Sequence, residues 1–307
     1  NDLDENELTL KLEPKSSLVT NPFNMLTALE LLGAENYEID SVTADAIKAD
    51  APLLREADKH ELSRRFTRIL LTRNISGVMA RFPEVFSAIE PELLKAQRYK
   101  ERYYDSTLWE HISKSVEFAP PQADIRYAML FHNVGIPDCR CRDSHGNTFF
   151  YGHGEYGRIT AANFFEKYRV ELKLRSDTDM LIESHDISIT EDRTAVKRLL
   201  CEYSHEELKK LIKLRIADDM AKPTVHEGVI AMYRRTLTML EDIIASGECY
   251  SISQLAIKEN DLITHRLVAN KAQARAVIES LYEAVLTEPS LNVAPILLDM
   301  VRKSVRR

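Results

Sequence analysis

Apolar residues recur at helical spacing along almost the whole chain, and glycine is scarce outside one short stretch. Segments such as NMLTALELL (24–32), ELSRRFTRILL (61–71), SGVMARFPEVFSAI (76–89), DIRYAMLF (124–131), EELKKLIKLRIADDMA (206–221) and GVIAMYRRTLTMLEDIIA (228–245) set apolar side chains on one helical face. Of nine glycines, five fall at Gly135, Gly146, Gly152, Gly154 and Gly157, so irregular backbone is concentrated there. The pattern predicts an all-α protein. Strand-like alternation is scarce, TLKLE (9–13) being the best case for a minor ribbon. Ser204, with an acid three residues on, reads as a capping box at a helix start.

Polar YKERYYDST (99–107) and Pro223, which blocks helix continuation, mark two boundaries. The expected layout is a helical neck and body (1–98), a compact helical middle domain (99–222) and a helical tail (223–307). The opening residues resemble an internal connector more than a natural start, so a further domain upstream is an open expectation.

Charge is uneven. The first sixty residues carry about −8 and the remainder is near neutral. Net charge therefore makes no general case for nucleic acid, and any RNA contact needs a local basic face. Arg64, Arg65, Arg68 and Arg73 form one candidate, and Arg302, Lys303, Arg306 and Arg307 another. Four cysteines at 139, 141, 201 and 249 show neither CxxC spacing nor a disulfide framework, and Cys139 and Cys141 stand too close together for an ordinary zinc knuckle. They read as reduced thiols. With no membrane-span run and no signal-peptide core, a cytoplasmic location is expected and no membrane partner.

Five of the nine histidines fall in an ordered series with acids and an amide. His111 lies in LWEHISKSV, His132 and Asn133 in LFHNVGIPDC, His153 in YGHGEYG, His185 and Asp186 in ESHD, and Asp218 in RIADDMA. His and carboxylate from successive helices can converge on one or two divalent ions that activate water towards phosphorus. A lone His is more often a hydrogen-bonded core residue. The ordered set is what shifts the balance.

These segments, with DSHGNTFFYGHGEYG (143–157) and LRSDTDMLIESHD (174–186), resemble the HD domain of bacterial tRNA nucleotidyltransferases, the CCA-adding and poly(A) polymerase-like family. NPFNMLTALELLGAENYEID and the residues that follow resemble that family's neck and body helices. ASGECYSISQLAIKENDLI (245–263) resembles the start of its tail. The likeness runs from about residue 8 to the C-terminus. It implies tRNA or another RNA 3′ end as partner, and metal ligands at His111, His132, Asn133 and Asp218. In a phosphohydrolase reading His153 and His185 are expected to contact phosphate or a second metal, and in an RNA-binding reading the basic face of Arg64, Arg65 and Arg68 is expected to contact RNA.

Departures from the family pattern cut across these implications. Its HDxGKP signature reads HNVGIP here, so one metal-binding carboxylate has become Asn133 and the lysine has become Ile136. A divalent ion (Mg²⁺, Mn²⁺ or Ni²⁺) is therefore expected to bind weakly or not at all. The nucleotide-template motif EDxxR corresponds to Thr20, Asn21, Pro22, Phe23 and Asn24. Both reading residues are Asn, and Asn21 is expected to cap the following helix. The family's catalytic head, with its Gly-Gly stretch and Asp-x-Asp pair, has no counterpart. Nucleotidyl transfer by this chain alone is not expected, and a head, upstream or separate, would have to supply it. Three readings follow: the RNA-gripping portion of a tRNA nucleotidyltransferase-like protein, an HD-type metal-dependent phosphohydrolase, or a catalytically retired interaction scaffold.

Overall fold

Residues 7–8, 21–34, 37–99 and 106–305 are described by the structure, a computed structural model. The TLKLE segment, Thr20, residues 100–105 of the polar 99–107 stretch, Arg306 and Arg307 lie outside the described residues. The fold is all-α, as the periodicity predicts. The chain forms two compact units, residues 1–187 with 213–230, and residues 188–212 with 231–307.

In the first unit a two-residue strand β1 (Glu7–Leu8) pairs in parallel with β2 (Glu38–Ile39), placing Glu7 opposite Glu38. Between them lies α1 (Phe23–Ala34). Next come α2 (Ser41–Asp50), a 3₁₀ segment at Ala51–Glu56, α3 (Lys59–Leu70), α4 (Ile75–Arg81), α5 (Pro83–Ile89) and α6 (Leu93–Arg98). Asp40 and Asp58 cap α2 and α3 by accepting the Thr43 and Glu61 amides, removing unsatisfied donors at each helix start. Then come α7 (Leu108–Phe118) and α8 (Ala123–Phe131), a small antiparallel hairpin β3 (Cys141–Arg142) with β4 (Thr148–Phe149), and α9 (His153–Lys167) and α10 (Leu172–Glu183).

Helix α8 is the axis of this unit. Every residue from Asp124 to Phe131 is buried, and α7, α9 and α10 all pack on it. Aromatic rings fill the space around it. Tyr127 sits 5.1 Å from Phe165 and 5.7 Å from Phe164, Phe131 sits 5.5 Å from Phe164, and Phe66 on α3 reaches Phe164 at 5.8 Å. Edge-on and tilted contacts of this kind pack large apolar area in a fixed geometry. Arg126 is buried on the same helix. Its guanidinium donates to the carbonyls of Leu70, Thr72 and Ala119, so its charge is met by backbone dipoles.

Helix α9 crosses the end of α8 so closely that a Cβ at Gly157 would strike the Phe131 carbonyl. The loop after α8 is latched from the other side. Lys95 Nζ donates to Asp138 Oδ2 at 2.9 Å and to Tyr156 OH at 2.6 Å, while Tyr156 OH donates to Glu92 Oε2.

The second unit contains α11 (Arg193–Glu202), the first half of α12 (His205–Met220), most of α13 (Glu227–Ser246), α14 (Glu259–Thr264), α15 (Lys271–Thr287) and α16 (Ala294–Val305). Ser204 and Glu207 form the expected reciprocal bonds before α12. Leu262, Ile278, Leu281, Val285 and Leu297 are central to its core. Lys197, 1% exposed, donates to Glu248 Oε2 at 3.0 Å. Arg193 and then Lys197, bonded to Glu248, hold its carboxyl down to about 2.

No helix among the described residues is long and apolar enough to cross a membrane. The Gly157 crossing yields a direct test. Gly157→Ala should lower the free energy of unfolding by about 1–3 kcal/mol, the usual cost of overpacking a well-filled contact, as read by urea denaturation. Unchanged stability would show that α9 can move away from Phe131 at no cost.

Candidate functional site

Helix ends bring the ordered histidines together. Thr107 and Glu110 form a capping box that starts α7, and the next residue, His111, is wholly buried. At the C-cap of α8 stands His132, followed by Asn133, both nearly inaccessible. His153 opens α9, where Gly152 at the N-cap provides no side-chain oxygen for the first amides. His185 follows the last turn of α10, packed so tightly against α9 that a Cβ at Gly154 would meet its ring. The last turn of α12 supplies Asp218.

In the first group, His111 Nε2 donates to Asp218 Oδ1 at 3.0 Å, and His132 Nε2 lies 3.2 Å from the same oxygen. Burial works against the Asp218 carboxylate, but the hydrogen bond that His111 donates counters it, and the carboxyl lies well below the usual range. Burial also lowers His111, outweighing the opposite pull of Asp218 and favouring neutral imidazole. Asn133 Nδ2 donates to His132 Nε2 at 2.6 Å. The amide thus takes the lone pair at the position where a carboxylate would add an anionic ligand.

The second group is His153, His185 and Asp186. His153 Nε2 lies 3.1 Å from His185 Nε2, and Asp186 Oδ2 lies 3.5 and 3.3 Å from them respectively. Burial first, and then the neighbouring His132, push His185 down to about 4. Arg215 donates to the His185 carbonyl at 3.0 Å, and Lys222 lies 3.5 Å from Asp218 Oδ2.

Three of the imidazoles share one arrangement. His132 Nδ1 bonds the Met129 carbonyl at 2.8 Å, His153 Nδ1 the Phe150 carbonyl at 2.7 Å, and His185 Nδ1 the Ile182 carbonyl at 2.6 Å. Each carbonyl lies three residues back. Nδ1 is thereby assigned the proton and Nε2 the lone pair, the orientation that backbone carbonyls impose on metal-ligating histidines. The lone pairs at His153 and His185 face one another, an arrangement that a shared proton or a cation satisfies. Each of the two groups has its ligand atoms within 4.8 Å of one another. A borderline divalent cation fits such His–His–carboxylate sets; at His111 it would displace the Nε2 proton.

Both groups border one cleft of about 380 Å³, lined also by Asn133, Arg215, Lys222, Phe149, Phe150 and Tyr151. That size lies in the range of small-molecule sites. Arg215 and Lys222 were not singled out in the sequence. Arg215 lies at i−3 to Asp218 on the same face of α12, and Lys222 stands just past the end of that helix, 3.5 Å from Asp218 Oδ2.

The other predicted residues lie elsewhere. Asn21 Oδ1 accepts the Phe23 amide at 3.1 Å, the expected capping contact, and Asn24 N donates to the Asn21 carbonyl. Arg64 and Arg65 both pair with Glu61, and Arg68 pairs with Glu30 at 3.1 Å. Exposed pairs of this kind contribute little and exchange readily with other anions. Among the described residues, neither of the two groups that could hold a metal includes a cysteine.

No protein-family model matches the chain, and no curated protein does. The fold is similar to the crystal structure of the CCA-adding enzyme of Bacillus stearothermophilus in complex with CTP, at 13% sequence identity and a TM-score of 0.59. The match covers 98% of this chain and 66% of that one, so this chain spans just under two thirds of the neighbour's length. The likeness is one of fold.

Proposed function

We propose that this chain is the RNA-gripping helical portion of a tRNA nucleotidyltransferase-like protein that works at the tRNA 3′ end. The supporting observation is the fold likeness to a CCA-adding enzyme over 98% of the chain. In this reading residues 1–98 are neck and body, 99–222 an HD domain and 223–307 a tail. Arg64, Arg65 and Arg68 exchange their carboxylate partners for RNA phosphates. The sequence holds no Gly-rich stretch leading to an Asp-x-Asp pair, so in this reading the chain does not transfer nucleotides by itself.

The expected result is salt-sensitive tRNA binding that responds to the presence of the terminal CCA. Replacing the three arginines with Ala should weaken binding and flatten the salt dependence by roughly 0.7–0.9 log units per log unit of salt for each phosphate no longer neutralised. Filter binding across a salt series measures both. A variant that binds like the parent would remove these arginines from the interface, and absent binding would end the reading.

A second reading, metal-dependent phosphohydrolysis in the cleft, is favoured by the three histidines that hold Nδ1 on a carbonyl and aim Nε2 inward. His111, His132 and Asp218 would hold one cation, and His153, His185 and Asp186 another. A bound Mg²⁺, Mn²⁺ or Ni²⁺ supplies polarisation of the phosphoryl oxygen and an acidified water. The chain's own contribution is to orient: Arg215 and Lys222 bring positive charge to the phosphate, buried Asp218 fixes His111, and backbone carbonyls fix His132, His153 and His185. Asn133 opposes metal uptake by hydrogen-bonding the His132 lone pair. Asn133→Asp should therefore tighten Mn²⁺ or Ni²⁺ binding at least about tenfold in calorimetric titration. No gain would show that the first group is not a cation site.

A further inference from the structure

Two aromatic rings at the rim of the His/Asp cleft belong to neither of its His/Asp groups. Phe149 ends β4, and Tyr151 stands two residues on, in the turn that leads into α9. Their rings stack 5.4 Å apart, 9° from parallel. Tyr151 is nevertheless 75% exposed. Phe149 covers one face of its ring and the rest stands in water, beside a cleft lined by His132, His153, His185, Arg215 and Lys222.

The hairpin that carries the rings is held in place. Asp143 Oδ1 accepts the His145 and Asn147 amides at 2.9 Å each, and Asn147 Nδ2 returns to Asp143 Oδ2 at 2.8 Å. β3 and β4 close beneath this loop, with Cys141 opposite Phe149. The platform is therefore set before a ligand arrives, which lowers the ordering cost of binding.

A flat π surface next to phosphate-binding cations suits a ligand that carries a phosphate at one end and an aromatic heterocycle at the other. We propose that Tyr151, backed by Phe149, is the base-stacking, specificity-determining residue of the cleft, and that the cleft takes a ribonucleoside phosphate, either free or as the terminal residue of an RNA strand. This rests on the phosphate-binding reading of the cleft. Base stacking on an aromatic side chain tolerates any base, so the platform separates nucleotides from other phosphomonoesters without choosing among nucleotides.

The test is calorimetric titration of the intact chain, with and without Mn²⁺, using AMP, glycerol 3-phosphate and a short oligoribonucleotide that ends in adenosine 3′-phosphate. AMP should bind at least about fivefold more tightly than glycerol 3-phosphate. Tyr151→Ala should weaken AMP by about 5- to 150-fold, the factor for removing one stacked ring, and leave glycerol 3-phosphate unchanged. Tyr151→Phe should behave like the parent. Tighter binding of the oligonucleotide than of AMP would assign the site to an RNA end, and equal binding to a free nucleotide; either supports the proposal. Equal affinity for AMP and glycerol 3-phosphate, or an AMP preference that survives Tyr151→Ala, would overturn it while leaving the cleft a phosphate site. Binding of none of the three would overturn the phosphate reading and this proposal together.

Discussion

Asp218 is a buried carboxylate that accepts from His111 on α7 and lies within hydrogen-bond distance of His132 at the end of α8. One oxygen thus ties the end of α12 to side chains 107 and 86 residues earlier in the sequence. A buried charge of this kind persists only where its neighbours compensate its desolvation. Here they do, and the carboxyl is held well below its usual range. The rest of the cleft is built outward from this point. His132 fixes where Asn133 stands, and its ring lies 5.5 Å from that of His185, through which the second group joins the first.

Packing delivers the groups to that point. Helix α8 is buried on all sides, so its aromatic neighbours settle both its rotation and the place where it ends. The contact of Gly157 with the Phe131 carbonyl sets α9 against the same end and brings His153 opposite His185. Preorganisation of this sort is what a site for a charged ligand requires: the imidazoles are oriented by backbone carbonyls rather than by the ligand. Asn133 is the discordant element. It preserves the packing of the corner and satisfies His132, but it contributes a donor where cation binding calls for another anionic oxygen. An arrangement that could hold a cation and a residue that works against one therefore coexist.

Much of this was legible in the sequence because it followed from local rules. Helical periodicity and the near-absence of glycine pointed to the all-α fold. Crowded glycines pointed to irregular backbone, which holds for Gly135, Gly146 and Gly152, whereas Gly154 and Gly157 lie within regular α9 and serve close contacts instead. The convergence of His111, His132, Asn133, His153, His185 and Asp218 could be ordered from the chain but not measured, since hydrogen bonds such as His111 to Asp218 span 107 residues. The ion pairing of Arg64 and Arg65 with Glu61 was open to local reading, because i+3 and i+4 neighbours share a helix face. Arg215 and Lys222 escaped notice for a different reason. Their charge looks like ordinary helix surface until the opposite helices are in place. The same holds for Tyr151, which is one more aromatic in the sequence and becomes distinctive only through its exposure beside the cleft.

Cation or phosphate chemistry in the cleft depends on three imidazoles that keep Nδ1 protonated against a carbonyl and direct the Nε2 lone pair inward. Long-range ¹H–¹⁵N correlation spectra of the ¹⁵N-histidine-labelled chain near pH 7.5 read the tautomer of each ring directly. The expected result is the Nδ1–H tautomer for His132, His153 and His185, with the Nε2 resonances shifting on addition of a diamagnetic divalent cation such as Cd²⁺. Nε2–H tautomers at these positions, unmoved by the cation, would contradict it.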